Sequence, residues 1–112
     1  MKKKNVVKSK ILFNDIIQIG KRNANKYFVI CSVSKNEITN NFGIAVGKKI
    51  GNAVVRNKIK RQIRNIIDNN YKLFPKFHNY IIICKKDILN LSFWEMESEL
   101  IKLLNKGEEN EK

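Results

Sequence analysis

The residues best suited to chemistry in this chain are its arginines, of which there are only four beside nineteen lysines. Three of them, Arg56, Arg61 and Arg64, fall within a span of nine residues. The planar guanidinium group can hold a phosphate through two parallel hydrogen bonds or stack on a base, which an ammonium group cannot do. This stretch therefore predicts recognition of a polymer that carries phosphates and bases. Its other polar residues include Asn57, Lys58 and Lys60, and it is preceded by Lys48 and Lys49.

The sequence lacks the side-chain pattern of a nuclease that acts alone, which requires an acid–base pair or carboxylates that hold metal ions. The single histidine, His78, excludes a site built on two histidines. Glu95 and Glu99 could share a helical face, but a helix cap and a solvated surface explain them better. The acids before them are scattered, at Asp15, Glu37, Asp68 and Asp87. The sequence thus predicts no catalytic residue and no metal ligand, and another molecule would supply the reacting groups.

An amphipathic helix is predicted to present the arginines on one face. Asn52 is a favourable N-cap residue, and the fifteen residues after it include neither glycine nor proline. At about 100° per residue, an apolar stripe of Val55, Ile59, Ile63 and Ile66 lies beside an arc of Arg56, Lys60, Arg64, Asn57 and Arg61. An ordinary solvated face is the alternative, but such a face usually mixes charges, and this helix has no acid before Asp68. Contact with RNA or DNA is the favoured interpretation.

The surrounding pattern predicts a small α+β domain. A first helix is expected from a Ser9 cap to Ile19, and a last helix from the capping box of Ser92 and Glu95 to Gly107. Strands are predicted at 27–34, 42–46 and 79–85, with a polar loop at 21–26. The strand at 27–34 is apolar on both faces, which is typical of a central strand. The last helix would bury Met96, Leu100, Leu103 and Leu104, and Trp94 would help to dock it.

Positive charge is concentrated in the body of the chain. The formal net charge is +13 over 112 residues. Residues 1–94 hold twenty basic against four acidic residues, whereas residues 95–112 hold three against six. A polyanion is the natural partner of such a domain. The length fits a single domain over residues 1–112, with a flexible basic arm at 1–8 and a tail at 106–112.

The sequence predicts neither a membrane span nor a secretory signal. No apolar run approaches the roughly 20 residues that cross a bilayer, and the basic N-terminus lacks an apolar stretch with a cleavage site. Cys31 and Cys84 lie in apolar runs, match no metal-ligand spacing and are interpreted as buried, reduced thiols. The expected location is the cytoplasm, without a membrane partner.

One long stretch resembles a known family. The run from Lys48 to Arg64, KKIGNAVVRNKIKRQIR, closely resembles the signature of the bacterial ribonuclease P protein subunit. The resemblance includes Phe13 followed by Gly20 and covers residues 3–105. It implies a single-domain αβββαβα sandwich with a central sheet and a left-handed βαβ crossover around the basic helix, similar to the second domain of a ribosomal small-subunit protein. It adds one strand to the three predicted above.

The resemblance implies the protein half of a ribonucleoprotein endonuclease that removes the 5′ leader from precursor tRNA. In this family a catalytic RNA subunit holds the Mg²⁺ ions, and one protein is expected per RNA. Arg56, Asn57, Lys58 and Arg61 would face the catalytic RNA, and Lys48 and Lys49 would approach RNA phosphates. Lys60 and Arg64 would line the leader side of a cleft between the first helix and the sheet, together with Phe13, Ile17 and Cys31.

Three positions depart from the family pattern. Lys58 stands where arginine is commoner, and Ile17 and Cys31 stand where aromatic residues are frequent. Leader binding is therefore expected to depend more on charge than on stacking, which contributes about 1–3 kcal/mol per base. Two other functions remain open at this point, namely a non-catalytic RNA binder of ribosomal or assembly-factor type and a protein-only nuclease.

Overall fold

The computed structural model describes residues 6–110, with side chains as far as Lys106. The element order is αβββαβα, as the family resemblance implies. The elements are α1 (Lys10–Ile19), β1 (Lys21–Ala24), β2 (Phe28–Ser34), β3 (Asn41–Val46), α2 (Ala53–Asn69), β4 (His78–Cys84) and α3 (Phe93–Asn110). Two short 3₁₀ helices, Tyr71–Leu73 and Lys86–Asn90, precede and follow β4.

The four strands form one sheet in the order β1-β2-β4-β3. β2 is antiparallel to both of its neighbours, and β3 is parallel to β4. Parallel neighbours cannot be joined by a tight turn, so the chain crosses from β3 to β4 through α2. The register places Val46 beside Cys84, and the segments that follow β3 and β4 therefore leave the sheet at the same end.

Each face of the sheet supports its own apolar core. Successive residues of a strand point to opposite faces, so Phe28 and Ile30 join the larger core whereas Cys31 joins the smaller one. The helices α2 and α3 cover the larger core, to which α3 contributes the predicted stripe of Met96, Leu100, Leu103 and Leu104. The helix α1 covers the smaller core through Ile16. Burial on both faces confirms that β2 is a central strand.

The three helices begin at the predicted caps. The side chain of Ser9 accepts a hydrogen bond from the N–H of Leu12 at 3.2 Å, and that of Asn52 accepts from Val55 at 3.0 Å. At α3 the N–H of Ser92 donates to Oε1 of Glu95 at 3.0 Å, and the N–H of Glu95 donates to Oγ of Ser92 at 3.2 Å. These bonds satisfy backbone donors that a helix start leaves unpaired.

Three predictions about the chain outside α2 are wrong. The segment predicted as a loop at 21–26 contains β1, which pairs with β2 from Lys21 opposite Ser32 to Ala24 opposite Val29. Trp94 does not dock α3, because its side chain is 73% exposed. α3 also continues beyond Gly107, since its backbone remains helical to Asn110.

The N-terminal segment reaches the sheet before α1 begins. Val6 forms a parallel bridge with Phe42 of β3, and the N–H of Val7 donates to the carbonyl of Phe42 at 3.0 Å. The side chain of Val7 is buried in the smaller core. Part of the predicted flexible arm at 1–8 therefore belongs to the fold, and its residues 1–5 lie outside the described residues.

Candidate RNA interface

The exposed surface of α2 is the first part of the candidate site. The helix is fixed on the sheet by Ile59, Ile63, Ile66 and Ile67, which are buried. Its polar surface, called the α2 face below, comprises Arg56, Asn57, Lys58, Lys60, Arg61 and Arg64. Arg56 and Lys60 are half-buried at its margin, and the other four are exposed. No acid lies on α2 before Asp68, so this face carries one sign of charge from Arg56 to Arg64, over about two and a half helical turns.

Arg56 is the most constrained residue of the α2 face. Its backbone N–H donates to the carbonyl of Asn52 at 3.0 Å in the first turn of the helix. Its Nε atom is buried and has no hydrogen-bond acceptor among residues 6–110. A buried donor left unpaired costs about 1–3 kcal/mol. An acceptor brought by a bound molecule would remove that cost.

A group of four lysines lies at one end of the sheet. Because β3 and β4 are parallel and in register, the pair that follows β3 meets the pair that follows β4. This lysine cluster consists of Lys48, Lys49, Lys85 and Lys86, which surround a cavity of about 640 Å³ with Ile50 and Cys84 in its wall. The sequence analysis singled out the first pair and missed the second. A second lysine doublet, at the end of the strand predicted at 79–85, was the available signal.

The four lysines differ in their freedom to bind a ligand. The Nζ atom of Lys85 donates to the carbonyl of Asn25 at 2.6 Å, and its backbone N–H donates to Tyr27 at 2.8 Å. Lys48, Lys49 and Lys86 are exposed. Lys85 therefore ties the cluster to the β1–β2 connection, and the three exposed ammonium groups are available to phosphates.

The predicted cleft residues come together under and along α1. Phe13 and Ile17 are half-buried against the smaller core, and Cys31 lies within that core with no exposed area. Phe13 packs over Gly43 of β3, since a Cβ atom at position 43 would stand 2.7 Å from Cε2 of Phe13. Phe13 and Ile17 can therefore offer surface to a ligand, whereas Cys31 supports them from below.

Arg22, the fourth arginine, also lies on the α1 side of the sheet. It is the cross-strand partner of Cys31, and its guanidinium group donates to the carbonyl of Ile17 at 3.0 Å. Burial raises the pKa of the Cys31 thiol, and the nearby positive charge and hydrogen bond of Arg22 partly oppose that effect. Both Cys31 and Cys84 are free and buried, as predicted. Arg22 was not singled out as a site residue because it lies in the segment predicted to be a loop.

The structure separates two groups that the resemblance would bring to one cleft. Phe13 and Ile17 pack on the smaller core, whereas α2, which carries Lys60 and Arg64, packs on the larger core across the sheet. The strand next to α2 is β3, at the edge of the sheet. A single RNA strand that contacts both groups would therefore have to pass around the β3 edge.

Within residues 6–110 there is no group of three or more His, Cys, Asp or Glu residues that could hold a metal ion. Within that same range, no helix has the length and apolar character needed to cross a bilayer.

Comparisons with known protein sequences match one family over nearly the whole chain. The family profile described as Ribonuclease P matches residues 1–108. The ribonuclease P protein component of Mesoplasma florum is 40% identical over 105 residues, covering 93% of this chain and 96% of that protein. The corresponding protein of Bacillus cereus is 38% identical over 108 residues, covering 96% of this chain and 94% of that protein.

Solved structures agree with the sequence comparison. The ribonuclease P protein of Thermotoga maritima superposes with a TM-score of 0.82 at 30% identity, covering 90% of this chain and 96% of that one. That of Staphylococcus aureus superposes with a TM-score of 0.83 at 28% identity, covering 92% and 94%. Likeness over nearly the whole chain, in both sequence and structure, favours this family over a ribosomal or assembly-factor RNA binder. The chain belongs to the ribonuclease P protein family, and it is the protein component of a tRNA-processing ribonucleoprotein in which its partner is ribonuclease P RNA.

Proposed function

We propose that this chain binds ribonuclease P RNA through the α2 face and the lysine cluster, and holds the 5′ leader of precursor tRNA on the α1 side of the sheet. The RNA subunit then carries the groups that cleave the leader, with one protein per RNA, in the cytoplasm. Arg56, Asn57, Lys58 and Arg61 face the catalytic RNA. Lys60 and Arg64 lie on the same helix, and we assign them to the 5′ leader where the leader passes the β3 edge of the sheet.

The observation that carries this proposal is the single sign of charge on the α2 face. Its exposed arginines are Arg61 and Arg64, and the helix has no acid within four residues of Arg61, since Asp68 is the first acid on α2. The lysine cluster, of which Lys48 and Lys49 precede α2 and Lys86 follows β4, adds three exposed cations. Each phosphate that these groups neutralise releases condensed counterions, so binding gains free energy at low salt and loses it as the salt concentration rises.

Arg56 can contribute directed hydrogen bonds to the RNA contact in addition to its charge. Its buried Nε atom lacks an acceptor, while its position at the margin of the α2 face leaves the side chain half-buried. A phosphate oxygen can accept from Nε and from a terminal nitrogen of the same guanidinium group. We assign Arg56 to such a phosphate of the catalytic RNA.

The α1 side offers a surface suited to a single strand. Phe13 and Ile17 are half-buried there, beside Val29 and Ile83 of the central strands. Bases of a single strand stack on aromatic rings and lie against aliphatic surface with little sequence preference. Only one of these four side chains is aromatic, which fits a leader that is held largely by charge.

The side chains that the structure describes do not offer a ligand set for a resident Mg²⁺ ion. Mg²⁺ prefers carboxylates and other oxygen ligands in octahedral geometry, and the described residues hold no cluster of acids that could provide them. In the proposed function the Mg²⁺ ions belong mainly to the RNA subunit, where they would assist the displacement at phosphorus. The protein residues act by neutralising phosphates and by positioning the leader.

The proposal is tested by reconstitution. Purified protein, a bacterial ribonuclease P RNA and a 5′-extended precursor tRNA are combined at low Mg²⁺ concentration, and leader release is compared among protein alone, RNA alone and both together. Release that is much faster with both components supports the proposal. No gain over RNA alone contradicts it, and cleavage by protein alone would overturn the assignment of catalysis to the RNA.

A further inference from the structure

A second groove lies beside the α2 face and has no role in the function described so far. It has a volume of about 330 Å³, within the range of ligand pockets, and is formed between the first half of α2 and the segment that joins β4 to α3. Its floor is apolar, since Ile59, Ile88 and Met96 are buried. Val55, Lys58 and Gln62 form the α2 wall, and Leu91, Ser92 and Phe93 lie on the other side.

An aromatic pair stands at this groove, in which Phe93 is half-buried and Trp94 is exposed. Phe93 lines it, and the ring of Trp94 packs edge-on against that of Phe93, with the ring centroids 5.2 Å apart at an angle of 87°. Trp94 is the only tryptophan in the chain, and 73% of it is exposed. Leu89, which lines the groove, is a further exposed apolar side chain. A large aromatic surface left in water at this position lacks a structural purpose within the described chain.

Lys58 connects this groove to the α2 face, because the same side chain borders both. An RNA chain bound to Lys58 on the α2 face would therefore also lie at the rim of the groove. We propose that the groove receives the base of an unpaired nucleotide of ribonuclease P RNA, beside Phe93 and Trp94, with its phosphate on Lys58. This inference rests on the proposed function and adds a nucleotide-binding position to it.

The groove has the mixture of groups that a base requires. The flat faces of Phe93 and Trp94 provide stacking surface, which every base can use. Gln62 and Ser92 provide amide and hydroxyl groups that can meet polar base edges. Three acids adjoin lining residues of the groove. Glu95 is committed to the helix cap, where its carboxylate accepts from the N–H of Ser92 at 3.0 Å, and Glu97 accepts from Nδ2 of Asn70 at 2.9 Å. Asp87, beside Ile88, is half-buried.

A protein segment is the competing occupant of an apolar groove. The lysine at its rim and its continuity with the cationic α2 face favour RNA, because charge complementarity orients a polyanion on this surface. An exposed aromatic ring beside a basic surface, as Trp94 is here, is also a usual stacking platform for single-stranded RNA. The two occupants give different results in the following experiment.

The test uses the fluorescence of Trp94 in the full-length protein. Ribonuclease P RNA is added, and the quenching of Trp94 by acrylamide is measured before and after binding. The proposal predicts that the quenching constant falls and the emission changes when the complex forms, because the indole ring stacks on a base. A complex that forms while Trp94 remains as accessible as before would overturn the proposal. Shielding of Trp94 in concentrated protein without RNA would also overturn it, in favour of a protein interface.

The affinities of Trp94 variants for ribonuclease P RNA test the proposal independently of fluorescence. Trp94→Ala is expected to weaken binding to ribonuclease P RNA by about tenfold, and Trp94→Phe, which retains an aromatic face, is expected to restore most of it. Phe77→Ala is the matched control, because Phe77 is also a partly exposed aromatic but precedes β4, at the end of the strand opposite the lysine cluster. Its effect should stay within about twofold. Equal affinities for Trp94→Ala and the parent protein would contradict the proposal, whereas failure of the parent protein to bind any ribonuclease P RNA would overturn the proposed function itself.

Discussion

The ring of Phe13 lies directly over Gly43, so that the first helix touches the edge strand where that strand has no side chain. A Cβ atom at position 43 would stand 2.7 Å from Cε2 of Phe13 and 2.6 Å from Cδ1 of Ile81. Both distances are shorter than carbon atoms tolerate. The absence of a side chain at position 43 therefore determines how closely α1 approaches the sheet.

Gly43→Ala is expected to displace Phe13 and lower the free energy of unfolding by about 1–3 kcal/mol, the usual cost of overpacking. Urea unfolding followed by circular dichroism measures this change. Gly47→Ala is the matched control, since a Cβ atom there meets nothing within 4 Å and the glycine does not have a positive φ. It should be neutral or stabilising. Equal stability of the two variants would contradict the packing relationship.

Lys86→Ala tests whether the lysine cluster binds RNA. Lys86 is exposed, and its place in the cluster was not predicted from the sequence. Loss of one phosphate contact should weaken binding to ribonuclease P RNA and reduce the slope of log affinity against log salt concentration by about 0.7–0.9. Filter binding at several salt concentrations measures both effects. Lys76→Ala is the control, as Lys76 is exposed but lies before β4, away from the cluster. An unchanged slope for Lys86→Ala would remove it from the interface.

Arg56→Lys separates geometry from charge. The variant keeps a cation but removes the buried Nε donor that has no acceptor, so the free energy of unfolding should stay equal or rise. RNA affinity should nevertheless fall by about tenfold, because the two parallel hydrogen bonds are lost. Arg61→Lys, at an exposed position, should leave stability unchanged. Parent-like affinity for Arg56→Lys would show that the guanidinium geometry has no role.

Ile17→Phe places an aromatic side chain on the α1 side, at a position where the family pattern often has one. Ile17 is half-exposed there, so a ring can stack on a leader base and should raise the affinity for leader-bearing precursor tRNA about fivefold or more. Affinities for substrates with and without leader separate this effect from general RNA binding. Ile11→Phe is the control, since Ile11 is exposed and belongs to neither core. A large leader effect in the parent protein that resists salt would contradict the expectation that charge dominates.

The buried thiol of Cys84 should make the free energy of unfolding depend on pH in the alkaline range. Burial raises the pKa of its thiol from 9.0 to about 12 in the folded protein. Between these values the unfolded chain releases the thiol proton and the folded chain retains it, so the contribution of Cys84 to stability is complete below pH 9 and is lost as the pH rises towards 12. Urea unfolding at pH 8 to 10.5 measures the slope, and Cys84→Val should show a shallower one. Equal slopes would contradict the burial effect.

The parts of the structure that local sequence determines were predicted well. Asn52 caps α2, its isoleucine stripe is buried, and Ser92 and Glu95 open α3 as expected. Each of these features depends on residues within one or two turns of each other. The caps and the helical periodicity therefore sufficed to predict them.

The features that were missed depend on distant parts of the chain. β1 has the polar sequence Lys21-Arg22-Asn23-Ala24, and only its pairing with β2 makes it a strand. Lys86 joins Lys48 only because β3 and β4 run parallel in register. Trp94 was expected to dock α3, but Met96 and Leu100 fill that interface and leave the indole outside. In each case the pairing or packing partner, rather than the local residues, decides the outcome.

The two edges of the sheet are protected from self-association in different ways. At one edge β1 carries Lys21 and Arg22, whose charges oppose pairing with a second molecule. At the other edge the more apolar β3 is covered in part by Val6 and Val7, through the bridge to Phe42. Proteolytic removal of the first seven residues would leave this part of β3 open as a template for intermolecular strand addition. The short segment before α1 therefore covers backbone groups of an edge strand that would otherwise be open to pairing with a second molecule.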